Sequence, residues 1–546
     1  MSKLSGYWKK GAKQKAVLVI GSLLLLFVLF VLRDDIQPFI LFLRKYFFII
    51  IVFFLIARLG LHLIREVMGW RKMAWTILTL GLLGGLWFLL FPIGMYKYME
   101  TYMVYRCINL EELDKLPLTE NERIQPWNNI RTMAYESISE TEEVSHPQLV
   151  RVDNENRWTM AIQPSKDYFF QRVQDNTEEI FSVPSTVPFP KFSAENRIPK
   201  VFSIGESLAW SRNSYNAVVQ RFGPGQFFNM EPSQLYYMKD DRGVWVQVVS
   251  LIKWKGFFFP YPSFGGVMVL EGGEHDWKDY VERLLIGKGT YISAEKMKDY
   301  AYLKGQNTLS EKVSSIQAES LKFLGGFTDP LPWNMKTAIK IPKLEDDQNQ
   351  QPFVTDFDFS DVKQGAYNGL YHWFGLEPIG SERTSLTISV MIPADGSQKV
   401  YYYNHGKRKE GYAGVSAMPA KVIESKKEYD WTANRPVEFR PYIKDMAGKR
   451  RMFMLSTIVA NRKDAGGEEG KGSTQFDGAA TPDLALVDVQ YKDVVWVDAK
   501  KPSSWVNDIQ FQLAEAWGTK SSVLPMNEMT APKIESQVKD SSSIKK

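Results

Sequence analysis

The sequence contains a single cysteine, Cys107, among its 546 residues. One cysteine excludes an intramolecular disulfide framework and any metal cluster built on several cysteine ligands. The chain also contains no Asn-x-Ser/Thr acceptor for N-glycosylation, although asparagine is frequent. A large region without disulfides or glycosylation acceptors favours a bacterial envelope, or a virus of bacteria, over a eukaryotic cell surface.

The chain also has little excess of either charge. Lys and Arg total 67 against 62 Asp and Glu, which gives a net charge of +5, and much of it lies in the basic N-terminal tail. A charge this dilute does not support a nucleic-acid partner. No glycine-rich loop followed by Lys-Ser/Thr is present to hold a nucleotide phosphate. We therefore expect no nucleic-acid partner, no cofactor and no metal.

Three long apolar stretches dominate the first hundred residues, at about 16–32, 39–64 and 73–95. At 1.5 Å per residue, the charge-free run 16–32 comes close to the hydrocarbon thickness of roughly 30 Å, and 73–95 exceeds it. The middle block has a charge-free core of only twelve residues, 46–57. These stretches predict about three membrane-spanning helices and the lipid bilayer as a partner. A cleaved signal peptide is the alternative for the first run, but Arg33-Asp34-Asp35 follows it in place of small residues, which favours an uncleaved anchor.

The distribution of Lys and Arg predicts the topology. The N-terminal tail and the loop after the middle block are richer in basic residues than the segment from Arg33 to Lys45. This bias places the N-terminus in the cytoplasm and everything beyond Tyr96 outside, as a multi-pass membrane protein with an extracytoplasmic region. If the middle block only lies in the interface, the large region is cytoplasmic instead. Gly81 and Gly85, four residues apart, predict a helix-packing face.

The remaining chain is long enough for more than one core. The predicted organisation is a basic tail (1–15), the membrane region (16–95), stalk helices (96–145), a first α+β domain (146–339), a linker (340–352), a second α+β domain (353–519) and a disordered tail (520–546).

Alternating and valine-rich segments predict antiparallel sheets with packed helices, which is a membrane-anchored α+β fold. The clearest hairpin alternates from Leu386 to Ile392, turns at Ala394-Asp395-Gly396-Ser397 and returns through Val400 to Tyr403. The two soluble halves share one order of elements: a Tyr-x-Lys-Asp strand, a second apolar strand, a loop with proline, a third strand and a helix opened by tryptophan. A tandem repeat is therefore one interpretation, and chance recurrence of common α+β elements is the other.

One short segment suggests an enzyme. In Val201-Phe202-Ser203-Ile204-Gly205-Glu206-Ser207-Leu208, a strand runs into a tight turn and a helix, which is how nucleophile elbows expose a serine. The segment resembles the first block of SGNH-type esterases, with Glu206 where that family carries Asp. It is also similar to the Ile-Gly-Glu-Ser/Thr opening of membrane-anchored sulfatase-like transferases of the bacterial envelope. The resemblance implies Ser207 as the nucleophile, but the Asp-x-x-His pair of the first family and the Asp-His step of the second are both missing from this chain.

Aromatic residues make up 14% of the sequence, with 16 tryptophans. Their densest patch in the soluble region is Trp254, Phe257, Phe258, Phe259 and Tyr261, which predicts either a partner-binding surface or part of a core. Two functions follow. The first is a scaffold or binding module for another envelope or virion component, with a protein partner or self-association. The second is a membrane-anchored hydrolase or transferase of envelope polymers that uses Ser207. We favour the non-enzymatic function.

Overall fold

A computed structural model of the chain describes residues 17, 19–25, 27–67, 81, 94–187, 190–335, 337–344, 350–366, 368–380, 384–397, 399–446, 449–460 and 483–498. The labelled helices of these residues are α1 (Arg33–Val67), α2 (94–107), α3 (Trp127–Tyr135), α4 (Phe169–Gln174), α5 (Ser214–Arg221), α6 (Pro224–Phe227), α7 (Trp277–Leu285), α8 (Glu311–Ser320), α9 (His405–Arg408) and α10 (Met418–Ser425). Short 3₁₀ turns lie at Ala194–Asn196, Trp210–Arg212, Met297–Asp299, Ala301–Leu303, Leu321–Phe323 and Val415–Ala417.

Two antiparallel sheets form the first half of the body. Sheet I has the order β3-β5-β6-β7, with β4 also paired to β5. Its strands are β3 (Glu142–Val144), β4 (Gln148–Val152), β5 (Glu155–Pro164), β6 (Thr177–Pro184) and β7 (Arg197–Phe202). Sheet II is a meander in the order β11-β10-β9-β8. Its strands are β8 (Met230–Lys239), β9 (Trp245–Lys255), β10 (Tyr261–Leu270) and β11 (Thr290–Ile292).

The second half contributes two more sheets. Sheet III has the order β1-β16-β15-β14-β13-β2, with β12 also paired to β14, and only the β1–β16 pairing is parallel among the described strands. Its strands are β1 (Asn109–Glu112), β2 (Leu118–Glu120), β12 (Ile339–Lys340), β13 (Phe353–Asp358), β14 (Gly369–Pro378), β15 (Ile388–Pro393) and β16 (Lys399–Asn404). Sheet IV is a meander of β17 (Asn434–Met446), β18 (Lys449–Ala460), β19 (Asp483–Asp488) and β20 (Val494–Asp498).

Apolar side chains join these sheets into one body. Phe202 of sheet I and Val248 of sheet II share one core cluster, and Trp373 of sheet III and Met454 of sheet IV share another. Helix α8 lies between sheets II and III, where Val313 packs in a cluster with strands of both. A further cluster joins sheet I and helix α3 to β13 and β14. The junction of sheets I, III and IV is therefore built from segments far apart in sequence.

The prediction of a membrane-anchored, multi-pass protein with an extracytoplasmic region is wrong. Within the described ranges, no helix is long and apolar enough to cross a membrane. The predicted middle span, 39–64, belongs to α1, a helix that starts at Arg33 and carries Arg44 and Lys45 before its apolar core. That core, 46–57, is shorter than the ~20 apolar residues that a spanning helix needs.

Other sequence predictions fall partly outside the described ranges. Most of the predicted span 73–95 lies outside them, as do Gly85, the tryptophan-led helix of the second half (505–517) and the tail 520–546. Gly81 is helical, and no atom of the described residues lies within 4 Å of the position of a Cβ atom there. The predicted stalk, 96–145, contains α2, α3 and the strands β1, β2 and β3. The tandem repeat stays a prediction: sheets II and IV are both four-stranded meanders, but the second tryptophan-led helix lies outside the described residues.

Candidate interaction site on helix α1

Helix α1 turns its polar side chains toward the body of the protein. Arg33 is 9% exposed, and its guanidinium donates to the carbonyl oxygens of Gln220 at 3.1 Å and Leu284 at 2.8 Å. These carbonyls belong to the last turns of α5 and α7, where the helix dipole favours a cation. Burial lowers the pKa of Arg33, and the two carbonyls replace the water that its guanidinium loses.

Two more polar side chains of α1, the amide of Gln37 and the carboxyl group of Asp34, also bond to the body. Gln37 is fully buried; its Nε2 donates to the carbonyl of Met230 at 2.5 Å, and the hydroxyl of Tyr215 donates to its Oε1 at 2.6 Å. Gln220 Nε2 donates to Asp34 Oδ2 at 3.1 Å. Burial raises the pKa of Asp34. These bonds fix the rotation of α1 about its axis, because the polar groups find partners only on this side.

Arg44 and Lys45 continue the contact at mid-helix. Arg44 donates to the carbonyl oxygens of Phe228 at 3.2 Å and Gly256 at 3.4 Å. Lys45 Nζ lies 3.7 Å from Glu100 Oε1 on α2 and 4.7 Å from the centre of the Trp254 ring. Burial raises the pKa of Glu100, and Lys45 opposes that shift. The two basic residues that precede the apolar core of α1 are therefore both engaged with the body.

Large apolar side chains of α1 point outward. Their exposed fractions exceed one third; they are Phe39, Phe42, Leu43, Phe47, Ile51, Phe54 and Leu55. Each residue turns the helix by about 100°, so positions 39, 42 and 43 project away from Arg33 and Gln37, whereas 51 and 55, eighteen residues after those two, repeat their side of the helix farther along. The first half of α1 is therefore the reverse of an ordinary surface helix, whose apolar stripe faces the core.

The turn between β9 and β10 extends this apolar face. Phe257 is 68% exposed and its ring centre lies 6.2 Å from that of Phe47. Phe258 is 55% exposed and lies 5.1 Å from Phe48. We call Phe39, Phe42, Leu43, Phe47, Ile51, Phe257 and Phe258 together the aromatic surface. Two segments about two hundred residues apart in the sequence therefore form one outward apolar patch.

The structure divides the aromatic patch that the sequence singled out. Phe257 and Phe258 are exposed, whereas Trp254 is buried and its Nε1 donates to Glu231 Oε2 at 3.0 Å. Phe259 packs between Phe48 and Tyr96, with ring centres at 6.0 and 6.3 Å. Tyr261, the last residue of the patch, donates its hydroxyl hydrogen to Cys107 Sγ at 3.1 Å. Sequence reasoning missed the α1 phenylalanines as a surface, although their four-residue spacing is visible in the sequence.

Ser207 occupies a structural position in a turn. Its side chain is fully buried, and its hydroxyl donates to the carbonyl oxygen of Pro164 at 2.6 Å. The backbone N–H groups of Glu206 and Ser207 both donate to Gln163 Oε1, at 3.0 and 3.2 Å. Among the described histidines, none has a ring nitrogen hydrogen-bonded to the Ser207 hydroxyl; His146 meets this turn through its backbone N–H, which donates to Glu206 Oε2 at 3.0 Å. The hydroxyl hydrogen needed for catalysis is thus committed to a carbonyl.

Replacing Ser207 by alanine is expected to lower stability by about 1 kcal/mol, because one buried hydrogen bond is lost. The midpoint of urea unfolding measures this change. A Ser185→Ala variant is a matched control, since it removes an equally buried serine hydroxyl that has no hydrogen-bond partner among the described residues, and it should stay closer to the wild type. Covalent labelling of the wild-type protein by a fluorophosphonate, lost in Ser207→Ala, would contradict the structural role.

Ser389, His405 and Glu410 form a serine–histidine–carboxylate arrangement that the sequence did not reveal. Ser389 Oγ lies 2.9 Å from His405 Nε2, and His405 Nδ1 lies 2.7 Å from Glu410 Oε2. Both the serine and the histidine are at most 1% exposed. Burial lowers the pKa of His405, and Glu410 opposes that shift. A substrate must reach the serine oxygen to be attacked, so these bonds serve to tie helix α9 and the segment after it to strand β15.

Metal binding has little support in the residues that the structure describes, where no group of three or more His, Cys, Asp or Glu side chains could hold an ion. In Glu274-His275-Asp276, the Asp276 carboxylate caps α7 by accepting from the Asp279 N–H at 2.6 Å. His275 Nδ1 lies 3.3 Å from Asp279 Oδ2 and 2.8 Å from Arg283 Nη2. His275 and Asp276 are therefore bonded within the start of α7.

Comparisons with protein-family models, with curated proteins and with solved structures find no match to this chain.

Proposed function

We propose that this chain is a non-catalytic scaffold protein that pairs with a second copy of itself through the aromatic surface. The supporting observation is the reversed orientation of α1, which buries Arg33, Asp34 and Gln37 and exposes phenylalanines. Each large apolar side chain that stays in water lacks about 1.5–3 kcal/mol of stabilising burial free energy. A contiguous patch of this kind is typical of an interaction site.

The shape and chemistry of the aromatic surface favour a helical protein partner. Side chains four residues apart form a ridge, and ridges of this kind pack into the grooves of a facing helix. Aromatic residues are enriched among the side chains that contribute most to protein interfaces. Arg44 and Lys45, the two cations within the span of the aromatic surface on α1, are already bonded within the chain, so they are not available to select an acidic partner.

A second copy of the chain offers such a helical, apolar partner through a single interface. In a two-fold pair the same patch faces itself, so an apolar ridge meets an apolar ridge of the same length. Helix α1 has 35 residues, which at 1.5 Å per residue gives about 50 Å of length. Pairing would cover the aromatic surface on both chains, and the two bodies would project to opposite sides of the helix pair.

The alternative function, a hydrolase or transferase built on Ser207, has less support. The Ser207 hydroxyl is buried and donates to a backbone carbonyl. A nucleophilic serine needs a base within hydrogen-bond reach and a face open to substrate. The Ser389 arrangement has the base but lacks the open face, because both residues are buried.

The Phe47→Glu variant is expected to be monomeric under conditions in which the wild-type chain is a dimer. Its new carboxylate would have to be buried without a partner at the centre of the interface. Central aromatic residues of interfaces contribute about 2 kcal/mol or more, which corresponds to a roughly 30-fold or larger rise in the dimer dissociation constant. Sedimentation equilibrium of the full-length protein measures this constant.

Tyr491→Glu is the matched control, because Tyr491 is 63% exposed and lies just after β19, on sheet IV. This variant should dimerise like the wild type. A wild-type chain that stays monomeric over the accessible concentration range would contradict the proposal, as would equal weakening by both substitutions. A monomer that binds phosphatidylcholine vesicles through the same residues would assign the surface to lipid and would also overturn it.

A further inference from the structure

Sheet IV carries apolar side chains on both of its faces. Its first face, with Met454 and Val487, packs in one core cluster with Trp373 of sheet III and Met418 of helix α10. The alternate positions of the same strands form the second face. Each of its apolar side chains is at most 9% exposed; they are Tyr442, Phe453, Leu455, Leu484, Leu486, Val495 and Val497. Both faces are therefore shielded from water.

The described residues account for the cover of only one side of the second face. Ile124 is the single buried residue outside sheet IV, among those described, that joins these side chains in their cluster. It lies over β17 and β18, where Arg440 Nη2 and Thr457 Oγ1 donate to its carbonyl oxygen at 3.4 and 2.5 Å. Val497 lies on β20, at the opposite edge of the sheet, about 14 Å from β17 at roughly 4.8 Å per strand. Because Val497 is nevertheless only 5% exposed, residues beyond the described ranges must shield it.

The segment 505–517, which lies outside the described ranges, has the composition that such a cover needs. The sequence predicts an amphipathic helix there, because two serines precede it as capping residues and Gly518 follows it as a stop signal. At about 100° per residue, Asn507 and Glu515, with Phe511 between them, fall on the side opposite the apolar stripe. That stripe is Trp505, Ile509, Leu513, Ala516 and Trp517. A helix with one apolar stripe buries it against the apolar face of a sheet.

The chain can reach the second face from the end of β20. Trp505 follows Asp498 by seven residues, and an extended chain of that length spans about 23 Å. The thirteen residues of the segment would make a helix of about 20 Å, which is long enough to cross β18, β19 and β20. Residues 461–482, between β18 and β19, contain one large apolar side chain, Phe476, so they cannot supply this cover.

We propose that the second face of sheet IV is an intramolecular docking surface for residues 505–517 of the same chain, which pack across it as a helix. The short connection from β20 gives the segment a high effective concentration at this face, which favours it over the same segment of a second copy. Strand β20 is then held both by its hydrogen bonds to β19 and by the helix that covers it. This inference is independent of pairing through the aromatic surface.

Amide hydrogen exchange of the full-length protein tests the packing. Ile509→Asp places a carboxylate in the apolar stripe and should release the segment, so that the amides of β19 and β20 exchange at least tenfold faster. The matched control, Asn507→Asp, places a carboxylate on the other side of the same predicted helix and should exchange as the wild type does. Amides of sheet II serve as the internal reference. Equal exchange in Ile509→Asp and the wild type would overturn the inference, as would equal acceleration by both substitutions.

Methyl NMR on the wild-type chain tests the same contact without a variant that could fail to fold. Nuclear Overhauser effects should connect the methyl groups of Ile509 and Leu513 with those of Leu486 and Val497. Absence of every such effect would overturn the inference. So would effects that appear only between the two members of a mixture of differently labelled copies, because they would assign the second face to another chain. None of these results bears on dimerisation, because the aromatic surface shares no residue with sheet IV.

Discussion

Replacing Glu438 by glutamine is expected to lower the free energy of unfolding by about 3–5 kcal/mol, because it leaves two buried guanidinium groups without their shared carboxylate. Arg123 and Arg440 are 7% and 3% exposed, and Glu438 itself is 2% exposed. Burial lowers the pKa of both arginines, and Glu438 opposes the shift in each. Glutamine keeps the volume of the side chain and removes only the charge. The loss of stability therefore reports the ion pairs and not a change in packing.

The midpoint of urea unfolding measures this effect. The control is Glu428→Gln, which removes an exposed carboxylate and should stay within about 0.5 kcal/mol of the wild type. A Glu438→Gln variant as stable as this control would mean that water reaches both arginines and that the junction of sheets I, III and IV is open.

His372 is expected to make the protein sensitive to acid. The residue is fully buried on β14, where its Nδ1 lies 2.7 Å from Ser314 Oγ and its Nε2 lies 2.8 Å from Asn307 Oδ1. Burial lowers the pKa of His372 to about 3. The unfolded chain, with an ordinary histidine pKa near 6.5, binds the proton first as the pH falls. Stability is therefore present above about pH 6.5 and is lost between there and pH 3, at about 1.4 kcal/mol per pH unit.

The difference between the wild type and His372→Gln isolates this contribution. Between pH 7 and pH 4.5 the wild type should lose about 2.5 kcal/mol more than the variant, although the variant is less stable at pH 7. Urea unfolding at several pH values gives both curves. Parallel curves would show that His372 is protonated in the folded protein, and a proton resonance of its ring that titrates near pH 6.5 would show the same thing directly.

The sheets were predictable from the sequence because each strand carries its own local pattern. The predicted hairpin appears as β15 (Ile388–Pro393) and β16 (Lys399–Asn404), with its turn at Asp395-Gly396. Gly396 adopts a φ of +76° there, a conformation that glycine reaches without strain. The segment from Val244 to Trp254 is rich in valine and tryptophan, a composition that predicts a buried strand, and it likewise falls on β9 (Trp245–Lys255). Turn residues and strand composition act over short distances, so they are readable without knowledge of the fold.

The setting of α1 was not predictable in the same way. Hydropathy counts apolar residues along the chain but does not record which face of a helix meets other elements. Arg33 and Gln37 are buried because carbonyl groups of α5, α7 and β8 receive them, and those elements lie about two hundred residues away in the sequence. Without that information, the phenylalanines around Phe47 predict a membrane span.

The buried ion pair of Arg123 and Glu438 was missed for a related reason. The two residues have no motif in common and stand far apart in the sequence. They meet, with Arg123 Nη2 3.0 Å from Glu438 Oε2, only because the segment after β2 packs against β17. Ser207 was singled out by its local motif, but its role depends on Gln163 and Pro164, the neighbours that the fold supplies. A local motif can identify a turn, whereas the partners that decide its chemistry come from tertiary structure.

Pairing through the aromatic surface is tested most directly by the distance between two spin labels in the assembled protein. A single nitroxide on Leu43→Cys, in a Cys107→Ser background, reports the aromatic surface, and the same label on Tyr491→Cys reports a distant face. Double electron–electron resonance should give a short, well-defined distance between chains for the first label and a longer or broader one for the second. Absence of any dipolar coupling between chains at position 43, at concentrations where the protein is fully folded, would contradict the account.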